Sequence, residues 1–114
     1  KRISVSQGSL ASDLQLTATT DTNVATYTPP VAGNYLILIY YRVTTAQTNF
    51  EVKITYTDGT GAQTLQVVAA ATPTAVGSYS ATPVAINSTA AAITVVAKAG
   101  TANQVYVSSS ITGV

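Results

Sequence analysis

The sequence predicts an all-β protein, an antiparallel sandwich or barrel of eight or nine short strands in a single domain. The first observation is that apolar and polar residues alternate with a period of two along much of the chain, while helical periodicity is hard to find. The second is that clusters rich in Gly, Pro, Asn and Asp separate these stretches at short intervals. The third is the length, because 114 residues are enough for one domain.

Strands are expected where β-branched and aromatic residues are enriched between turn residues. They lie at residues 3–5, 14–19, 24–27, 35–43, 50–57, 64–69, 84–86, 93–98 and 105–111. Asp58-Gly59 predicts the turn of a hairpin after the strand at residues 50–57. Residues 69–83 are rich in Ala, Thr, Pro, Ser and Gly, and this composition predicts a long surface loop.

Composition argues against several kinds of function. Only 8% of residues are charged, five Lys and Arg against four Asp and Glu, whereas 46% are hydrophobic. Because the chain has no His and no Cys, it can have no disulfide, no imidazole or thiolate metal site and no histidine base. It has too few cations to neutralise a row of phosphates and no apolar run long enough for a membrane-spanning helix. We expect no cofactor, no metal, no nucleic-acid partner and no membrane partner.

The candidate catalytic groups are best explained as structural. Asp21 and Asp58 fall in predicted turns, Glu51 is a solvated strand position and Asp13 stands at the start of a strand. None of the lysines has the Ser-x-x-Lys spacing with which a lysine could replace a histidine base. The sequence therefore predicts a protein that is not an enzyme and has no catalytic residue.

Two of the predicted strands differ in their patterns. Residues 50–57 alternate strictly between apolar and polar side chains, as expected for a sheet with one solvated face. Residues 35–43 are apolar on both faces until Arg42, although the core of a sandwich meets only one face of a strand. The second face therefore needs another cover, which is either the chain's own N-terminal segment or long loop, or a neighbouring subunit. We favour a subunit interface, since a surface poor in charge repels its neighbours little. The residues predicted for this interface are Leu36, Leu38, Tyr40 and, from the parity of the last strand, Tyr106.

The N-terminal residues 1–12 are interpreted as an arm or a first edge strand, ahead of a β-sandwich domain at residues 13–114. The start of the segment is basic, and Gly8 and several serines favour flexibility. The residues expected to serve in attachment are Lys1, Arg2, Ile3 and Val5. Because the sequence contains no Met, we expect that it was processed, cut from a longer protein or produced without its natural start.

Tyrosine is the one residue type here that favours ligand binding, because its ring is amphipathic and can stack on a sugar. Of the seven tyrosines, Tyr79 lies in the predicted loop and is the candidate for an exposed ring. Packing or anchoring of the loop is the alternative role for this side chain.

One segment carries a family resemblance. Tyr27, Gly33, Tyr35, Ile37 and Ile39 stand in the frame of an aromatic residue, five residues, Gly, Tyr and two further apolar residues at alternate positions. This frame resembles the signature of tumour-necrosis-factor-like and complement-globular-head jelly rolls. Phe is usual at several of these positions in that family, so the sequence departs from the pattern at the first, fourth and fifth of them.

A closer resemblance spans residues 24–107. It rests on the entry Pro30-x-x-Gly33-x-Tyr35, on residues 41–46, on the turn at residues 56–59 and on the late strand at residues 92–95. In these features the chain is similar to β-domains of bacteriophage virion proteins, which include head-decoration, fibre and tail modules.

The resemblance implies a jelly roll that forms a homotrimer and has a structural role on the surface of a virus particle. The implied partners are further copies of the chain and other virion proteins, such as the major capsid protein or a fibre. Two alternatives stay open, a tip domain that binds a receptor or a host-surface glycan, and the subunit of an extracellular filament.

Overall fold

Nine strands and their connections make up the described part of the chain. The computed structural model describes residues 7–113, with side chains from residue 10 onward. The strands are β1 (Gln7–Gln15), β2 (Thr22–Tyr27), β3 (Gly33–Val43), β4 (Gln47–Asp58), β5 (Gly61–Thr74), β6 (Gly77–Ser80), β7 (Val84–Ser88), β8 (Ile93–Lys98) and β9 (Val105–Gly113). They form two antiparallel sheets that pack face to face, which confirms the predicted all-β antiparallel sandwich.

The order of the strands is that of a jelly roll. The first sheet has the order β1-β9-β3, with β6 and β7 both on the far side of β3, and the second sheet has the order β2-β8-β4-β5. Along the chain β1, β2 and β3 alternate between the sheets, β4 and β5 form a hairpin in the second sheet, and β7, β8 and β9 alternate again. This connectivity corresponds to the two Greek keys of a double-sheet jelly roll, with β6 and β7 sharing one strand position.

The strand β3 is the centre of the first sheet. It pairs with β9 from Tyr35↔Gly113 to Val43↔Val105. Its other edge is shared, since β7 pairs with its first half and β6 with its second half. Between them the chain leaves the ladder after Ala81, whose N–H donates to the carbonyl of Ile39 at 3.0 Å, and Pro83 has no N–H to donate. The two short strands β6 and β7 therefore occupy the position of one long strand beside β3.

The core lies between the sheets and follows the period-two pattern. In β4, Phe50, Val52 and Ile54 are fully buried, as their alternation with polar residues predicts. In β3 the buried residues are Tyr35, Ile37, Ile39, Tyr41 and Val43. The prediction that Glu51 is solvated is wrong, because only 8% of this residue is exposed. It stands opposite Lys98 in the register of β4 and β8.

The predicted loop at residues 69–83 is also wrong. The strand β5 continues to Thr74, and β6 occupies Gly77–Ser80. The Ala- and Thr-rich composition hides these strands because pairing with β4 and β3, not local propensity, holds them extended.

The N-terminal region bears on the predicted arm. The attachment residues Lys1, Arg2, Ile3 and Val5 lie outside the described residues, and the arm stays a prediction. The strand β1 is an edge strand of the first sheet and runs across the predicted boundary between residues 12 and 13. No helix within residues 7–113 has the length and apolar character needed to cross a membrane.

Candidate functional site

The outer face of the first sheet carries a groove lined with apolar side chains. The groove has a volume of about 310 Å³ and crosses the sheet from β1 over β9 and β3 to β6. The pairing register sets Leu38 beside Ser110 and Tyr40 beside Ser108, and Leu10 lies on the other side of Ser110. The small serines of β9 form the floor between the larger side chains of β1 and β3.

The apolar side chains of this groove are exposed to an unusual degree. Leu10 is 65% exposed, Leu38 45% and Tyr40 42%. Single exposed leucines are ordinary on a protein surface, but a contiguous set with a concave shape marks an interaction site. Leu36 lies next along β3 on the same face and is half-buried.

The outer face of the second sheet differs. Hydroxyl groups lie along the β2–β8 pair, where Thr26 donates a hydrogen bond to Thr94. An ion pair joins Lys53 Nζ to Asp21 Oδ2 at 3.0 Å, and Val96, opposite Lys53, is 7% exposed. This outer face is largely polar, whereas the outer face of the first sheet carries the apolar groove.

A polar cluster borders the groove beyond Tyr40. The guanidinium of Arg42 lies 4.2 Å from the centre of the Tyr106 ring and donates hydrogen bonds to both carboxylate oxygens of Asp13, at 3.0 and 3.1 Å. Gln15 Nε2 donates to the Tyr106 hydroxyl at 3.1 Å. The side chains of Arg42 and Asp13 are 39% and 55% exposed, so this cluster is a solvated polar border beside the apolar groove.

The four predicted interface residues lie on one face of the first sheet, and of these Leu38 and Tyr40 line the groove. Leu36, Leu38 and Tyr40 follow one another on the outer face of β3, and Tyr106 lies opposite Arg42 in the register with β9. Their role as an interface stays a prediction. Sequence analysis missed Leu10, because a register shift between Ala11 and Leu14, with Asp13 at a φ of 52°, interrupts the period-two pattern of β1.

Tyr79, the predicted ligand contact, lies in β6 rather than in a loop. Its ring stacks on Tyr41 with ring centres 5.1 Å apart, and its hydroxyl donates to the carbonyl of Ala75 at 2.7 Å. The residue is half-buried and packs against the core. This is the packing role that sequence analysis gave as the alternative, and ligand contact stays a prediction.

Three of the four carboxylates have structural partners. Asp13 and Asp21 are held in the ion pairs already described, and hydrogen bonds from the side chain and backbone of Thr60 lower the pKa of Asp58 in the β4–β5 turn. The hydrogen bond that Lys53 donates to Asp21 raises the pKa of Lys53. Within residues 7–113 no three His, Cys, Asp or Glu side chains cluster as metal ligands would.

The tyrosine stack makes the stability of the folded chain depend on pH in the alkaline range. Burial, and secondarily the neighbouring Tyr79, raise the pKa of Tyr41 above its usual value of about 10. The folded chain then keeps this proton at a pH where the unfolded chain loses it. The stabilisation is complete below the ordinary pKa and is lost as pH rises toward the higher value.

When the pH is raised from about 8 to about 10.5, we expect the free energy of unfolding of Tyr41→Phe to fall less than that of the wild type, because Phe has no proton to lose. Urea unfolding at the two pH values measures the difference. Tyr40→Phe is the matched control, since Tyr40 is exposed and this variant should follow the wild type. Equal losses in all three proteins would contradict the expectation.

Comparisons with known proteins inform the fold. No family model matches the chain, and no curated protein is detectably similar in sequence. Among solved structures, a chain from the structure of infectious bursal disease virus, Gx strain, is 17% identical with a TM-score of 0.55. The match covers 98% of this chain and 32% of that chain, so the present sequence spans about a third of its length. The likeness supports the sandwich fold.

Carbohydrate-binding proteins are similar at lower scores. A carbohydrate-binding module of Cellvibrio mixtus lichenase 5A, solved with cellotriose, is 15% identical with a TM-score of 0.42, covering 100% of this chain and 99% of that chain. The modules of Clostridium thermocellum xylanase 10B, solved with xylohexaose, are 12% identical with a TM-score of 0.43, and the match covers 92% of this chain and 24% of that chain. TM-scores below 0.5 are too low to establish a common fold.

Proposed function

We propose that the chain is a non-enzymatic structural module of a virus particle, a phage head-decoration or fibre domain that forms homotrimers through the outer face of the first sheet. The observation that carries this proposal is the apolar groove at Leu10, Leu38 and Tyr40, on a sandwich whose other outer face is largely polar. Burial of the groove against a neighbouring copy removes exposed apolar surface from water, at about 25 cal/mol per Å² before the cost of association.

Two further observations support an assembled state. The chain has only 8% charged residues, so copies brought together repel one another little. A domain of this size buries only about two-thirds of the surface that its unfolded chain exposes, and contacts between subunits add to that burial. The sandwich fold also occurs in a chain from a virus structure, in keeping with a place on a virion surface. There the further partners would be other virion proteins.

Cysteine labelling distinguishes a covered face from an open one, since the chain has no native cysteine. Ser110 lies in the groove on β9, and Thr94 lies on the polar outer face of β8, and both are half-buried in the single chain. We expect the cysteine of Ser110→Cys to react with a maleimide at least about ten times more slowly than that of Thr94→Cys in the native assembly. In urea the two rates should be equal.

Equal labelling of the two native variants would reject the outer face of the first sheet as an interface. The same result would favour the second candidate function, a tip domain that binds a receptor or a glycan. The observation in favour of that candidate is the exposed Tyr40 ring beside Ser108 and Ser110, because sugars stack on aromatic rings and bind hydroxyl groups. A glycan array with the unmodified chain tests it, and binding that Tyr40→Ala removes would support it.

A further inference from the structure

The edges of the two sheets are protected to different degrees. An unpaired edge strand offers a row of backbone N–H and C=O groups to any extended chain, and proteins block such edges with bulges, prolines, charges or short strands. In the first sheet, β1 has two register shifts, and β6 and β7 are only four and five residues long. In the second sheet, β2 is six residues long and has a register shift.

The remaining edge strand, β5, is fourteen residues long and is only partly protected. Its last part carries the protective features, with Ala71 at a φ of 60°, Pro73, and register shifts against β4. Its first part, residues 61–66, has no proline and no register shift, and its one positive φ is that of Gly61 at the turn, 126°. There the ladder with β4 is regular from Asp58↔Gly61 to Lys53↔Gln66.

The first part of β5 is open to approach and carries no charge. Ala62, Thr64 and Gln66 are exposed. The whole of β5 contains no Lys, Arg, Asp or Glu. Because β5 is uncharged, it does not repel an incoming strand that carries charge of either sign.

Neutrality points to a particular occupant. When a strand pairs antiparallel with its own copy across a two-fold axis, each side chain near the axis faces itself or a close neighbour, and any charge would face a like charge. A strand built to bind a different charged segment would gain from complementary charge instead. The shorter edge strands β2, β6 and β7 are uncharged as well. The lack of charge in β5 favours a second copy of the same strand because it is combined with a regular ladder over residues 61–66.

We propose that residues 61–66 of β5 pair antiparallel with the same residues of a second copy, which joins two second sheets into one continuous sheet. This contact is distinct from the outer face of the first sheet and does not depend on the proposed function. Together the two contacts link trimers to one another, as an extended array on a particle requires.

Charge introduced at this edge tests the proposal. The double variant Thr64→Lys and Gln66→Lys places lysines of both copies against one another, and we expect it to weaken the pairing at least about a hundred-fold. Measured by sedimentation equilibrium at equal concentration, the variant should lose the species linked through β5 and have a lower mass than the wild type. The control, Asn23→Lys with Thr26→Lys, adds the same charge to exposed positions on the opposite edge strand β2 and should keep the wild-type mass.

A cysteine scan identifies the occupant. Single cysteines at each of residues 62–66 are oxidised in the Leu38→Asp chain, in which the proposed trimer contact is broken. Because a disulfide needs Cα atoms about 4.4–6.8 Å apart, one position should form a covalent dimer fastest, with rates falling on both sides of it. Thr26→Cys is the control for random collision.

Three outcomes would overturn the proposal. One is an unchanged mass for the edge-lysine variant, and another is a scan in which no position exceeds the Thr26→Cys control. The third is a lower mass for the lysine variant without any β5 cross-link, which would assign the edge to a different strand, such as residues 1–6 of a neighbour. None of these results bears on the trimer, which the edge-lysine variant retains if the proposed function is correct.

Discussion

Replacing Leu38 with Asp is expected to abolish the proposed threefold assembly while leaving the fold of the single chain intact. Leu38 is 45% exposed on the outer face of β3 and lines the groove with Tyr40 and Leu10. In a single chain the new carboxylate stays in water. In a trimer each subunit would bury one unpaired charge, at a cost of several kcal/mol for each.

A cost of that size weakens association by at least about a hundred-fold. Sedimentation equilibrium should therefore show that species of three chains are lost, while the far-ultraviolet circular dichroism spectrum stays that of the wild type. The matched control is Val31→Asp, which introduces the same charge at a 64% exposed residue in the β2–β3 connection. A Leu38→Asp chain that still forms trimers would show that this face is not the contact.

Replacing Gln47 with Ala is expected to destabilise the folded chain by about 3 kcal/mol or more. Gln47 is only 2% exposed at the start of β4. Its Oε1 accepts hydrogen bonds from the backbone N–H groups of Gly100 and Thr101, each at 2.9 Å, and its Nε2 donates to the carbonyl of Thr45 at 2.8 Å. One side chain thus ties the β3–β4 turn to the β8–β9 turn.

The cost is high because Ala leaves the backbone donor of half-buried Gly100 without its acceptor and also empties the buried space of the Gln47 side chain. An unsatisfied buried group costs about 1–3 kcal/mol, and a cavity in a packed interior adds to that cost. Thr101 is exposed, so water can replace its lost hydrogen bond. The β8–β9 turn also packs closely on the start of β4, since a Cβ on Gly100 would lie 2.9 Å from the backbone nitrogen of Asn49. Urea unfolding measures the effect. Gln63→Ala, the same change in the solvent-facing β4–β5 hairpin, should cost about 0.5 kcal/mol. Similar losses in the two variants would refute the role given to Gln47.

Sequence analysis succeeded where one strand's own pattern determines its environment. The alternation in β4 predicted the burial of Phe50 and Ile54, and the two apolar faces of β3 predicted that Leu38 lies outside the core. Period-two alternation carries this information because successive side chains of a strand point to opposite faces. The hairpin turn at Asp58 was predicted for a similar reason, since its signal is contained in adjacent residues.

The features that escaped prediction depend on contacts between distant parts of the chain. Residues 69–80 resemble a loop in composition, and only pairing with β4 and β3 makes them strands. Leu10 joins the groove through a β1 register that a bulge at Asp13 shifts. The hydrogen bonds of Gln47 reach 53 and 54 residues along the chain. No pattern in neighbouring residues of the sequence predicts such a contact.

We propose that further copies of the chain cover the outer face of the first sheet. This coverage can be measured by sedimentation equilibrium of the unmodified 114-residue chain over a range of concentrations. Each chain has a mass of 11.6 kDa. The proposal predicts particles whose mass is a multiple of three chains, and three chains alone once β5 carries the edge lysines. A mass of 11.6 kDa at every concentration would contradict it.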